Sequence, residues 1–215
     1  MRTTRTLPSN LRLFGLVLCG LVLSACSQES ETFHENGQLR SRNTISREEV
    51  HGVFERFYEN GQLAMRENWI TRKDEGGSIL DLLSEWTTSR QKDGLSELFH
   101  ENGKLGSRGN YKPDSAPFPD NIGGLKDGLW EWFDENGQLK SRQNYKDGEP
   151  DGLWEWFHEN GQLWRRENYK PDPGPFPDNI GGLKDGLWEW FHEDGNLIKT
   201  ETYKDGELVE ENPNP

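Results

Sequence analysis

Residues 154–169 read WEWFHENGQLWRRENY, a tryptophan pair running into His158, Glu159 and Asn160. The His-Glu-Asn cluster is either a chemical group or punctuation in a fold, and recurrence decides between them. Related stretches stand at 33–42 (FHENGQLRSR), 57–66 (FYENGQLAMR), 99–108 (FHENGKLGSR), 133–142 (FDENGQLKSR), 157–166 (FHENGQLWRR) and 191–200 (FHEDGNLIKT). A residue type that returns at a fixed place in a repeat belongs first to the fold. The turn glycines Gly37, Gly61, Gly103, Gly137, Gly161 and Gly195 are spaced 24, 42, 34, 24 and 34 residues apart, giving a unit of 24 with insertions of 10 twice and 18 once.

Within a unit, Gly152 to Phe157 alternates aromatic with polar side chains, the pattern of a half-exposed strand. Asn-Gly or Asp-Gly follows, the pair that suits a two-residue type I′ hairpin. A second strand, Gln162 to Tyr169, returns, and Lys-Asp-Gly at 146–148 and 204–206 reverses the chain again. The expected fold is all-β: an elongated antiparallel meander of about six hairpins, with one short helical insertion.

The pattern carried by Gly128, Trp130, Trp132, Phe133, Glu135, Asn136, Gly137, Leu139, Tyr145, Asp147 and Gly148, with matching sets in the other copies, resembles the bacterial variant of the MORN repeat. The resemblance spans most of residues 31–210. It implies an extended sheet of hairpins used for binding or scaffolding, and some bacterial members are described as antitoxin-like. The first copy departs from the pattern by lacking its opening strand, and the last has Thr200 in place of Arg. Both departures suit end caps.

Two registers compete for the tryptophans. A two-residue loop at Asn136-Gly137 pairs Trp132 with Ser141, Trp130 with Gln143 and Glu131 with Arg142, and places Trp130, Trp132, Leu139 and Tyr145 on one buried face. The Glu-Arg pairing then repeats as Glu55 with Arg66, Glu97 with Arg108 and Glu155 with Arg166. A three-residue loop with a glycine bulge instead pairs Phe133 with Leu139 and leaves the tryptophans as an exposed ladder beside Lys140 and Arg142. The preference of Asn-Gly for the shorter turn favours the buried arrangement. The candidate partner-binding side chains are Trp130, Trp132, Trp154, Trp156, Trp188 and Trp190, with Phe118 and Phe176 of the insertions.

Those two insertions, 111–128 and 169–186, are near copies rich in Pro, Asp and Asn. They form either a paired grip anchored by the two phenylalanines or a cover packed on the sheet edge, the second being favoured. The longest insertion places Ile79, Leu82, Leu83 and Trp86 on one face of a short helix behind Ser78.

At the N-terminus, Arg2, Arg5 and Arg12 precede an apolar run from Leu13 to Leu23, too short to span a bilayer and patterned as a signal peptide. Leu23-Ser24-Ala25-Cys26 resembles the lipobox of bacterial lipoproteins, which implies cleavage before Cys26 and lipid, palmitate included, on its thiol and new amine. Ser27 after it resembles outer-membrane lipoproteins of Gram-negative bacteria rather than those held at the inner membrane by Asp. The expected organisation is a signal peptide at 1–25, a lipidated tether at 26–30, repeats 1–2 at 31–69, the helical insertion at 70–93, repeats 3–6 at 94–210 and a disordered tail at 211–215.

The whole chain carries a net charge of −13. Loss of three arginines with the signal leaves 22 basic against 38 acidic residues, or −16. That disfavours nucleic acid and anionic lipid surfaces and favours a basic partner. His34, His100, His158 and His192 share one slot and lie about 10 Å apart, too far to share a zinc ion. No EF-hand spacing, nucleophile elbow, phosphate loop or dinucleotide fingerprint is present in the sequence. The expectation is therefore a non-enzymatic protein without metal or cofactor, anchored through Cys26 and facing the periplasm, that binds or scaffolds an unidentified protein partner. Two rivals are an inhibitor or immunity-like protein against a basic partner, and a carbohydrate-binding module using exposed tryptophan rows.

Overall fold

The alternating segments become strands at the expected places. The computed structural model describes residues 27–46, 51–71, 90–114, 123–172 and 181–213. The strands are β1 (Ser27–Phe33), β2 (Leu39–Ser46), β3 (His51–Phe57), β4 (Leu63–Thr71), β5 (Arg90–Phe99), β6 (Leu105–Lys112) and β7 (Leu125–Phe133). They continue as β8 (Leu139–Lys146), β9 (Glu149–Phe157), β10 (Leu163–Lys170), β11 (Leu183–Lys184), β12 (Gly186–Phe191), β13 (Leu197–Lys204) and β14 (Glu207–Pro213). All belong to one 14-stranded open sheet in which neighbours in sequence are neighbours in space, except that the short β11 lies beside β10 off the main path. Every pairing is antiparallel, as short connections require. Among the described residues there is no helix. The expected helix at 78–86, the loops carrying Phe118 and Phe176, and the signal peptide with Cys26 lie outside the described residues.

The turns correct one expectation. At each Glu-Asn-Gly or Glu-Asp-Gly step the loop is three residues long, not two. Asp134 N donates to Gln138 O at 2.9 Å and Gly137 N to Asp134 O at 2.9 Å, with Gly137 at φ +84°. This is a type I turn closed by a glycine in the left-handed region, and Asn136 keeps a negative φ, which rules out type I′. Phe133 therefore faces Leu139, as the longer loop demands. A bulge at Lys140 then absorbs one residue and restores the pairings Trp132–Ser141, Glu131–Arg142 and Trp130–Gln143 that the shorter loop implied. Two one-residue offsets cancel. True two-residue reversals occur at the opposite edge, where Asp147 (φ 54°) and Asp205 (φ 53°) precede positive-φ glycines, as a type I′ turn needs.

Two boundaries also differ from expectation. The first copy does have an opening strand, β1, paired with β2 from Ser27 to Phe33. It escaped notice because SQESETF lacks the aromatic pair that marks the others. Strand pairing likewise runs to Pro213, three residues into the expected tail.

At the turn edge the hairpins are tied by side chains. Asn36, Asn60, Asn102 and Asn160 each donate from Nδ2 to a carbonyl in the next turn, Glu59, Glu101, Glu135 and Glu193 respectively, at 2.6–2.9 Å. In the slot before them, His34, His100 and His158 hold Phe57 O, Phe133 O and Phe191 O through Nε2 at 2.9–3.0 Å, and Tyr58 donates its hydroxyl to Phe99 O at 2.7 Å. Asp134 occupies that slot in the fourth hairpin and accepts from Asn136 N and Gln138 N instead. Gln138 there makes the link to the next hairpin, donating to His158 O and Glu159 O. The His-Glu-Asn cluster is thus a clasp between repeats.

Candidate binding faces

The pleat sends the tryptophans to one face and a charged ladder to the other. On the charged face, cross-strand neighbours run Glu31, Arg42, Glu55, Arg66, Glu97, Arg108, Glu131, Arg142, Glu155, Arg166, Glu189, Thr200. Each arginine stands between two glutamates. Arg166 reaches Glu155 at 3.3 Å and Glu189 at 3.1 Å, Arg66 reaches Glu55 at 2.9 Å, and Arg108 turns forward to Glu131 at 2.7 Å. Glu155, held by both Arg142 and Arg166, is 3% exposed. The same face carries a row of Leu95, Leu129, Leu153 and Leu187, three of them about 40% exposed (39%, 44% and 42% for Leu95, Leu129 and Leu187).

On the opposite face the tryptophans separate into two rows. The inner row holds Trp130 and Trp188, each 4% exposed, with Trp154 half-buried between them. Each indole Nε1 donates to a backbone carbonyl of the preceding strand: Asn110 at 3.0 Å, Asn144 at 2.7 Å and Asn168 at 3.1 Å. Burial without a second layer of chain comes from rings packed on rings. Tyr145, Trp154, Tyr169, Trp188 and Tyr203 follow one another at centroid distances of 5.1, 5.0, 5.3 and 5.1 Å. The tyrosines fill the intervals between tryptophans of successive repeats, an arrangement that the spacing of the tryptophans alone did not indicate. Trp130 lies on the backbone of Gly109, where no Cβ fits.

The outer row, Trp132, Trp156 and Trp190, is half-buried. Each ring carries a cation: Lys126 at 5.0 Å from Trp132, Arg165 at 4.0 Å from Trp156 and Lys199 at 4.2 Å from Trp190. The tryptophan face is accordingly most buried along its inner row and half-buried beneath cations along its outer one. Trp164, at the bulge position of the fifth hairpin, is 42% exposed.

A second column on this face, opposite the inner tryptophans, holds Glu67, Gly109, Gln143, Glu167 and Glu201. Glu167 is 2% exposed, accepts from Tyr169 Oη at 2.8 Å and lies 3.0 Å from Arg165, yet burial still raises its pKa above the ordinary glutamate range. Glu201 differs: Lys199 and Tyr203 hold its carboxylate and lower its pKa despite desolvation, while Tyr203 is pushed up to about 12, chiefly by that hydrogen bond.

Shallow grooves open between hairpins beside the turns. One of about 460 Å³ is lined by Tyr58, Leu98, His100, Ser107, Trp132 and Lys140, among others. Another of about 600 Å³ is lined by His158, Trp164, His192 and Ile198 with the acidic pair Glu193 and Asp194. Among the described residues no three His, Cys, Asp or Glu side chains gather as metal ligands would.

Five segments, residues 50–70, 92–112, 126–147, 150–170 and 184–205, match the family model of the MORN repeat variant. They coincide with the second to sixth hairpins, and the first hairpin lies outside the match. No curated protein matches the chain.

Proposed function

The chain carries five MORN-variant repeats in one continuous sheet, and from that premise we propose that it is a lipid-anchored envelope protein that scaffolds a protein partner on its charged face. The observation that carries this reading is the leucine row. Leu95, Leu129, Leu153 and Leu187 stand two strands apart, about 10 Å, with no second layer over them among the described residues. A single-layer sheet whose leucines alternate with Asn110, Asn144 and Asn168 and are rimmed by ion pairs offers a partner evenly spaced apolar contacts set among polar ones. The Glu-Arg ladder beside it fixes the register of whatever docks rather than adding much affinity.

Anchoring rests on the sequence around Cys26. A Cys26→Ala chain is expected to lose labelled palmitate and to move from the membrane to the soluble fraction. The scaffold reading is tested by crosslinking native lipoprotein in detergent-solubilised envelopes and identifying what is captured, in parallel with a Leu129→Glu/Leu187→Glu chain. Loss of the same captured protein in the double variant, with melting unchanged, is the expected result. Equal capture by both chains would remove the charged face from the proposal. A basic partner, as the net charge of −13 favours, would also dissociate as salt is raised.

A further inference from the structure

The charged face is built of three rows, and each alternates between two residue types from one strand to the next. The ladder alternates Glu with Arg. Two residues toward the Glu-Asn-Gly turns, the next row alternates Phe with Leu, as in Phe133–Leu139 and Phe157–Leu163, and the Arg142 guanidinium lies 5.8 Å from the Phe157 ring on the same side. Two residues the other way, Leu95, Leu129 and Leu153 alternate with Asn110, Asn144 and Asn168. The asparagines lie low. Asn144 and Asn168 donate from Nδ2 to Leu153 O and Leu187 O at 2.7 Å, which leaves a recess between neighbouring leucines.

A surface that repeats every two strands fits a surface of the same period in antiphase, and this face itself supplies one. Turned about an axis that runs parallel to the strands and between two of them, it brings each Glu against an Arg, each Phe against a Leu and each leucine over an asparagine recess. An axis along the ladder would set Glu on Glu. The arginines retain donors for such a contact: Arg108 and Arg142, with side chains 51% and 47% exposed, each hold a glutamate through Nε, and a guanidinium carries five N–H groups. The ladder is also nearly neutral, six glutamates to five arginines, in a chain of net charge −13. Two acidic molecules would thus meet where their charge is already cancelled.

Resting on the scaffold reading of this face, we propose that the partner seated on it is a second copy of the chain, related by a two-fold axis between β8 and β9. That seam has three strands with all three rows complete on either side, β6 to β8 and β9 to β12 along the main path. Leu153 of each copy then lies over Asn144 of the other, Arg142 over Glu155, and Leu129 between Leu153 and Leu187 of the second copy. Facing sheets pack about 10 Å apart, which lets leucine tips enter the recesses. Six strands about 4.8 Å apart and three rows about 7 Å apart give about 600 Å² on each copy, or about 1,200 Å² in all, within the size of specific interfaces. The axis preserves direction along the strands, so the Ser27 ends of both β1 strands lie at one edge of the assembly, which lets two lipid anchors enter one bilayer.

The test uses full-length copies carrying two different tags, produced together, with one tag used to draw the other from detergent-solubilised envelopes. Parental copies are expected to capture each other, and to do so undiminished as salt is raised, because screening relieves repulsion between two acidic bodies. Leu129→Glu/Leu187→Glu and Leu129→Lys/Leu187→Lys chains, each with its melting point retained, are expected to capture their own kind at least about tenfold less well. Producing the two variants together restores capture, since position 129 of one copy neighbours position 187 of the other. Parental copies that stay apart or part as salt rises, a charged chain that captures itself at the parental level, or a mixed pair no better than its members would each overturn the proposal. If parental copies stay apart while Leu129→Glu/Leu187→Glu loses a different envelope protein, the second copy is excluded and the scaffold reading stands.

Discussion

His158 holds Phe191 O at 3.0 Å across a sequence separation of 33 residues, while His192, in the same slot of the sixth hairpin, holds no such carbonyl among the described residues. Replacing His158 by Ala leaves a carbonyl without its partner and is expected to cost about 1 kcal/mol, and His192→Ala close to nothing. Urea denaturation of the two variants side by side checks this; equal losses would mean that the clasp contributes nothing. Glu167 supplies a second measurement at this scale. Its folded-state pKa is raised, so its share of stability is full below the ordinary glutamate value and is lost as pH rises through the raised one. Glu167→Gln keeps an acceptor for Tyr169, as Gln143 does for Tyr145 at 2.8 Å. The variant is therefore expected to be at least as stable as the parent near neutrality, with the parent gaining on it as the solution is acidified, read from thermal midpoints across pH.

At the scale of the hairpin, the three-residue loop concentrates its demand on one residue. Gly137 sits at φ +84°, and Gly137→Ala places a side chain in the left-handed region at an expected cost of about 1–2 kcal/mol, measured by thermal melting. Asn-Gly is compatible with both loop lengths, which is why the dipeptide alone pointed to the wrong one. What fits the longer loop is the side chain three residues before the closing strand: Asn36, Asn60, Asn102 and Asn160 each accept from the amide two positions on and donate into the next turn from the third position of the type I turn. The register, by contrast, was legible, because Glu opposite Arg recurs in the first five hairpins and a one-residue slip would move each charged side chain to the face of the aromatic ones. The groove was not legible. Gly106 and Gly109 read as ordinary variation until the pleat placed one at an empty bulge position and the other beneath Trp130. Nor did Lys126 stand out, since it sits in a stretch that the sequence presents as the end of an insertion loop.

For the molecule as a whole, an open sheet leaves two edges with unpaired backbone groups. Both are guarded by charge: β1 carries Glu29 and Glu31, and β14 carries Glu207, Glu210 and Glu211 around the exposed Leu208 and Val209. Replacing Glu207, Glu210 and Glu211 together by Gln is expected to convert a concentration-independent species into one that self-associates, as sedimentation velocity would show; unchanged sedimentation would place the protection elsewhere.

The clasps at the turn edge all point one way. From Asn36 to Asn160, every inter-hairpin donor belongs to the earlier hairpin and every acceptor carbonyl to the later one. Each seam therefore asks only backbone carbonyls of the later hairpin, which every sequence supplies, so the side-chain demand of an added unit falls on the unit before it.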